Sequence, residues 1–129
     1  MIRVTAGIDN SHYKTELVYD HKTIIVDEPL NLGGQDLGFT PSALLASSLA
    51  SCTAITLRMY ADRKKWDLQE TMVEVAFEKH ETSSEMVMDI KLFGNLDERQ
   101  KSRLLEIAHN CPIHKALMNP IHISTSLKD

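Results

Sequence analysis

Between Pro41 and Leu57 the chain carries no charged side chain. A run of that kind is ill suited to water over its whole circumference, and it predicts a buried helix at the centre of the fold. It belongs to a longer stretch, Thr40 to Trp66, reading TPSALLASSLASCTAITLRMYADRKKW, with one cysteine, Cys52, near the middle. A membrane span needs about 18 or more consecutive apolar residues. This run is slightly shorter, and Ser42, Ser47, Ser48, Ser51, Thr53 and Thr56 dilute it, so no membrane is expected as a partner. A lone cysteine in such a helix is either a small core residue or a sheltered thiol, and both readings stand at this point.

The helix has recognisable ends. The Thr40 hydroxyl can cap a free backbone N–H, and Pro41 is tolerated at the first helical position. Arg63, Lys64 and Lys65 suit the negative end of the helix dipole, which places the end near Lys65. At 1.5 Å per residue the helix is roughly 36 Å long. Ala43, Ala46, Ser47, Ala50, Ser51 and Ala54 would let another element approach closely, either within the chain or from a second subunit.

Before this helix, Ile2–Ile8 and Tyr13–Tyr19 are β-prone runs separated by the turn-forming Asp9-Asn10-Ser11, and Thr23–Val26 is a third. Lys14, Glu16 and Lys22 then belong on solvated faces or edges. The segment from Asp27 to Phe39, DEPLNLGGQDLGF, is a loop. Its Gly33-Gly34 pair matches neither GxxxxGK[ST] nor GxGxxG, so close backbone packing is expected there rather than phosphate binding.

After the helix, Val73, Val75 and Phe77 alternate within Leu68–His80, and Met88, Ile90 and Leu92 alternate within Met86–Phe93. With Thr82-Ser83-Ser84 as the turn and Gly94-Asn95 as the end, this reads as an antiparallel hairpin with one buried face. Glu74, Glu78, Asp89 and Lys91 fall on its wet face. A second helix begins near Asp97, with Gln100 completing a capping box, and buries Leu104, Leu105, Ile107, Ala108 and Cys111. Pro112 breaks that helix and opens a short turn to Met118, which leaves Cys111 beside free backbone N–H groups that favour a thiolate. Ile121–Leu127 alternates as a last strand.

A chain of 129 residues, 43% apolar and 25% charged, fits one globular domain over residues 1–129. A net charge of -4 and the lack of any basic, aromatic cluster make nucleic acid an unexpected partner. The first residues, MIRVTAGIDNSHYK, lack the basic start and apolar run of a secretory signal, so the expected location is cytoplasmic. In that compartment two cysteines are thiols rather than a static disulfide.

The residues able to do chemistry are Cys52, Cys111 and six histidines, of which His109 and His114 lie near a cysteine. Cys111, His114, His109 and Cys52 lack the paired spacing of a zinc site, and no metal is expected. No local signature of a Cys–His hydrolase is present. As a dithiol, one cysteine would attack a peroxide oxygen and the other would resolve the sulfenic acid to a disulfide, provided that their Cα atoms approach to about 4.4–6.8 Å. Sequence separation alone does not decide whether they do.

The string TPSALLASSLASCTAITLRMYA, the Gly33-Gly34 pair before it and the later CPIHKAL together resemble the OsmC/Ohr family of osmotically inducible and organic hydroperoxide resistance proteins, over roughly Glu28 to Pro120. The resemblance implies an α+β fold of strongly curved antiparallel sheets around two central helices in an intertwined homodimer. It implies that Cys52 is the peroxidatic and Cys111 the resolving cysteine, at the dimer interface. The substrate would be an organic hydroperoxide and the reductant a dithiol such as dihydrolipoamide, with no metal or organic cofactor. Leu45, Leu49, Ile55 and Met59 would supply an apolar lining. Active members hold the reactive thiolate beside a glutamate just after the helix-opening proline and an arginine from the N-terminal strands. This chain has Ser42 at the first position, and Arg3 is its only arginine before Cys52, with Lys14 and Lys22 as other cations. The same resemblance admits a second reading, a non-catalytic dimer that binds an apolar ligand or acts as a scaffold.

Overall fold

The computed structural model describes residues 1–128. Three antiparallel strands open the chain: β1 (Thr5–Ile8), β2 (Thr15–Tyr19) and β3 (Lys22–Val26), in the order β1-β2-β3. The turn between β1 and β2 is held by the Asp9 carboxylate, which accepts the Ser11 N–H at 2.8 Å. A 3-10 turn, Leu30–Leu32, is followed by α1 (Pro41–Lys64), the long hairpin β4 (Asp67–Lys79) and β5 (Ser84–Asn95), α2 (Glu98–Ala108) and α3 (Pro112–Met118). The fold is therefore mixed α+β, with two antiparallel sheets. The chain forms two compact units, residues 1–45 and residues 46 onward.

In the first unit the organising group is Asp27. Its side chain is almost wholly buried, and it accepts the backbone N–H groups of Glu28 at 2.8 Å, Gln35 at 3.2 Å and Leu37 at 3.3 Å. Burial alone would push this carboxyl up, but the three N–H groups outweigh it and hold the group below its ordinary value. The loop closes with the Asp27 N–H on the Phe39 carbonyl at 3.2 Å. Gly34 and Gly38 are required for backbone proximity, since a Cβ would collide with the Glu28 carbonyl at the first and the Ile25 carbonyl at the second. The glycine loop is thus packing, as its spacing suggests.

α1 starts as expected, with the Thr40 hydroxyl accepting the Ala43 N–H at 3.1 Å. It ends in a Schellman closure: Lys65 is left-handed (φ 58), its N–H reaches the Asp62 carbonyl, and the Trp66 N–H reaches the Ala61 carbonyl. The expectation of a wholly buried helix is not met within one chain. Only Leu49, Thr53, Leu57 and Ala61 are buried, one stripe at helical spacing, while Leu45, Ile55 and Met59 are exposed. A helix presents a single stripe to a single neighbour, so an apolar circumference needs more than one covering surface. By length and mean hydropathy α1 could also cross a membrane, with 17% of its most apolar window buried.

The second unit has its core where that stripe meets the rest. Leu57 and Ala61 of α1 pack with Leu68, Leu96, Leu104, Ile107 and Ala108, and Tyr60, Trp66, Ile90 and Leu92 border them. The hairpin alternates as its sequence does, with Val73, Val75 and Phe77 facing Ile90, Met88 and Met86 across the ladder. The first strand has the length the sequence suggests, shifted by one residue, and the second is longer. β5 continues through Gly94, which adopts φ 143 and leaves no room for a Cβ against the Asp67 carbonyl, beside a bulge at Gln69. α2 has the complete capping box, with Asp97 accepting the Gln100 N–H at 2.8 Å and the Gln100 side chain accepting the Asp97 N–H at 2.9 Å.

Two expectations in this unit are corrected. Leu105 is 57% exposed rather than part of the buried stripe of α2, because Leu104 and Ala108 already fill the side turned to α1. Ile121–Leu127 forms no strand: these residues lie outside every element and Ile121, Ile123 and Leu127 are exposed. An alternating segment becomes a strand only where a sheet edge accepts its backbone, and none among the described residues does.

Leu57→Ala should destabilise the protein by about 2–5 kcal/mol, the usual cost of emptying a fully buried leucine site, read as a lower urea midpoint at unchanged slope. Asp27→Ala should speed hydrogen exchange at the Gln35 and Leu37 amides while leaving the β4–β5 amides as they are. Because the Asp27 carboxyl lies below its ordinary value, this clamp is complete at neutral pH and is lost only as pH falls through that lowered value. The same amides in the native protein should become unprotected there.

Candidate functional site

Cys52 lies on α1 just before the buried Thr53, and it is half-buried. Cys111 is far along the chain, at the junction of α2 and α3, with its side chain fully buried. The two thiols lie near enough for each to act on the other's ionisation. Each arrives there for a local reason. Thr53 belongs to the stripe that α1 buries, so the residue before it sits at the stripe's edge. Pro112 stops the helical course of α2, and Cys111 becomes the N-cap of the next turn.

Pro112 has no N–H, so the first backbone donors available to the sulfurs are those of Ile113 and His114. The Cys111 Sγ accepts the His114 N–H at 3.5 Å. The Ile113 N–H acts on both sulfurs, and hydroxyls from α1 complete the set, Thr56 beside Cys52 and Thr53 beside Cys111. Thr53 is fully buried, and its Oγ1 meets no partner at normal hydrogen-bond geometry. It nevertheless lies near enough to Cys111 to favour the anion. His114 Nδ1 is likewise buried without a partner among the described residues, and its ring stands edge-on to His109 with centroids 5.5 Å apart.

The electrostatic result is asymmetric. Burial pushes the Cys52 thiol up, the adjoining Cys111 adds to this, and the Ile113 N–H and Thr56 hydroxyl do not compensate. Burial also acts upward on Cys111. There the adjoining Cys52 thiol, the N–H groups of His114 and Ile113, and the Thr53 hydroxyl outweigh it, so that this thiol lies below the ordinary range. None of these groups is a cation. Arg58, the nearest arginine in sequence, is turned away: it pairs with Asp62 at 2.8 Å and donates to the Leu68 carbonyl.

Cys52, Cys111, His109 and His114 are not gathered into a metal-binding set, and no three His, Cys, Asp or Glu side chains are so gathered among the described residues. Of the expected apolar lining from α1, Leu49 is buried while Leu45, Ile55 and Met59 are exposed. An apolar hollow of about 310 Å³ does lie between Leu57, Ile90, Leu92, Leu104 and Leu105, away from both sulfurs. Sequence reasoning picked out the two cysteines but missed Thr53, Thr56 and the Ile113 N–H. For the two threonines the signal was present, as hydroxyls one and four residues after Cys52 on the same helix.

A family profile described as OsmC-like protein matches residues 33–126. Among solved structures the chain is similar to a protein from Psychrobacter arcticus 273-4 described as osmotic stress induced and of a detoxification response, at 25% identity and a TM-score of 0.75, covering 94% of this chain and 87% of that one. It is also similar to an OsmC-like protein from Mycoplasma pneumoniae, at 20% identity and a TM-score of 0.79 over 92% and 87% of the two chains. A third is the organic hydroperoxide resistance protein OhrB of Bacillus subtilis, at 22% identity and a TM-score of 0.62 over 90% and 89%. The last two likenesses concern the fold. No curated protein sequence matches. The matched residues contain β4, β5, α2, α3 and all of α1, hence both cysteines, and the chain belongs to the OsmC-like protein family.

Proposed function

We propose that this protein reduces organic hydroperoxides with Cys52 and Cys111 as its redox pair. The observation that carries this reading is the nearness of two thiols drawn from distant parts of the chain, one half-exposed and one buried, each acting on the other's ionisation. The Cys52 sulfur attacks the terminal oxygen of the hydroperoxide. An S–O bond forms, the O–O bond breaks, and the alcohol leaves with a proton, so Cys52 becomes a sulfenic acid. Cys111 attacks that sulfur, a disulfide forms and water leaves. A dithiol reductant restores both thiols by two exchanges and is itself oxidised to a disulfide. Thiol chemistry supplies every electron, and the reading includes no metal or organic cofactor.

The working form is a homodimer in the cytoplasm. Support comes from the apolar surface of a single chain: Ile55 and Met59 on α1, Met72, Val87 and Phe93 on the hairpin, and the unpaired Ile121, Ile123 and Leu127 are all exposed. Scattered single exposures are ordinary, but such faces on several elements suit a second copy. A greasy lining for the substrate would then be completed between copies.

Loss of tert-butyl hydroperoxide in the presence of a dithiol should be catalysed by the wild type and fall to the buffer rate in Cys52→Ser; equal rates in the two would sink the assignment. One equivalent of peroxide should yield a Cys52–Cys111 disulfide in the intact-mass spectrum. An inert Cys52 with retained binding of an apolar probe would instead favour a non-catalytic ligand-binding dimer. Light scattering should return twice the chain mass, and a chain mass of one would refute the dimer.

A further inference from the structure

Where the last turns of α1 meet the first turns of α2, a cavity of about 590 Å³ opens on the surface of the second unit. It stands apart from the two thiols, since Tyr60 in its wall is eight residues beyond Cys52 on α1, about 12 Å along the helix axis. Its size is that of a small-molecule site. One wall is aromatic. The Tyr60 and Trp66 rings meet edge to face with centroids 5.5 Å apart, and both side chains are half-buried against the core. Arg103 fixes the tyrosine: its Nε donates to the Tyr60 hydroxyl at 3.0 Å, and its guanidinium carbon lies 5.7 Å from the ring centre. Because that hydroxyl accepts from Arg103, its own hydrogen is left to donate elsewhere.

The polar groups around this wall are unequally engaged. The acids are in use: Asp97 accepts the Gln100 N–H at 2.8 Å as the cap of α2, and Glu106 pairs with Arg103 at 2.8 Å. The remaining donors are not. Among the described residues the Arg99 guanidinium, the Ser102 hydroxyl and the Trp66 indole N–H have no hydrogen-bond or ion-pair partner, and the Lys64 ammonium only stands 5.7 Å from the Tyr60 ring centre. Open donors beside a ring, with both carboxylates already engaged, suit an anion whose body is flat and apolar. The charge is matched as well. Lys64, Arg99 and Arg103 against Asp97 and Glu106 leave one positive charge in excess, on a chain whose net charge is -4. One carboxylate neutralises it, whereas a phosphate monoester brings about 1.5 to 2 negative charges at pH 7.

We propose that this cavity binds a small aromatic carboxylate, with its ring against Tyr60 and Trp66 and its carboxylate on Arg99 and Lys64. Arg99 offers a planar fork to the two oxygens and Lys64 a point charge. Arg103, already paired with Glu106, is a positioning residue that holds the Tyr60 ring. Neither sulfur takes part, and the site is independent of the peroxidase reading.

Trp66 is the single tryptophan, so its indole N–H gives one cross-peak in a nitrogen–proton correlation spectrum of the full chain. Sodium benzoate should move that peak saturably, with a Kd of about 1 mM or tighter at pH 7. Benzyl alcohol, which has the ring without the charge, should bind about 10-fold more weakly or worse, and so should acetate, which has the charge without the ring. Arg99→Gln should weaken benzoate by about 10-fold or more, while Arg63→Gln, which removes the same charge from the last turn of α1 outside the cavity, should change it by less than about 2-fold. The cross-peaks of Arg99→Gln away from the cavity should stay at their wild-type positions, which separates lost binding from lost fold. Equal weakening by the two substitutions would mean attraction by surface charge alone and overturns the site. An indole peak unmoved by about 10 mM benzoate, a concentration well above that Kd, overturns it too. Tighter binding of phenyl phosphate than of benzoate overturns the assignment to a carboxylate.

Discussion

The second unit depends on one seam, the i, i+4 stripe that runs along α1 from Leu49 through Thr53 and Leu57 to Ala61. Leu57 and Ala61 contribute apolar packing against Leu104, Ile107 and Ala108 of α2, and this closes the core. Thr53 breaks the pattern. A hydroxyl in a fully buried position without a partner at normal geometry carries a cost on the order of 1–3 kcal/mol, and an apolar residue of similar shape would avoid it. It is placed where the stripe passes the Cys111 sulfur. The seam that stabilises the unit thus also fixes the surroundings of its two thiols, so packing and chemistry cannot vary independently here.

That arrangement explains why the two sulfurs differ although both are shielded. Desolvation acts upward on each. The difference comes from where their helices stand relative to them. Cys52 lies inside α1, where the backbone N–H groups are already spent on the helix's own carbonyls, and its donors must come from elsewhere. Cys111 precedes a fresh turn, whose first N–H groups have no internal partner, and Pro112 removes one of them while Ile113 and His114 provide the rest. Backbone accounting therefore holds the buried Cys111 thiol below the ordinary range and leaves the half-buried Cys52 above it.

Much of this was legible in the sequence because it is local. Thr40-Pro41, the Asp97–Gln100 capping box and the alternation of Val73, Val75 and Phe77 each depend on residues a few positions apart, and each stands where it was expected. What the sequence did not reveal is non-local or needs a partner. Asp27 reads as an ordinary acid at a strand end, and its role depends on amides eight and ten residues away folding back onto it. The exposure of Leu105 depends on how α2 is rotated against α1. The alternation in Ile121–Leu127 is real, but a strand is a property of two backbones and the second is not supplied by this chain's described residues. The nearness of Cys52 to Cys111 is of the same kind: both motifs could be seen, their meeting could not.

The resemblance to the family implies a glutamate just after the helix-opening proline, holding an arginine beside the reactive thiolate, where this chain has Ser42. In this chain the groups acting on the pair, besides the two thiols themselves, are the Ile113 and His114 N–H groups and the Thr53 and Thr56 hydroxyls, all neutral. A cation beside Cys52 would lower the energy of a Cys52 thiolate and reverse the present asymmetry.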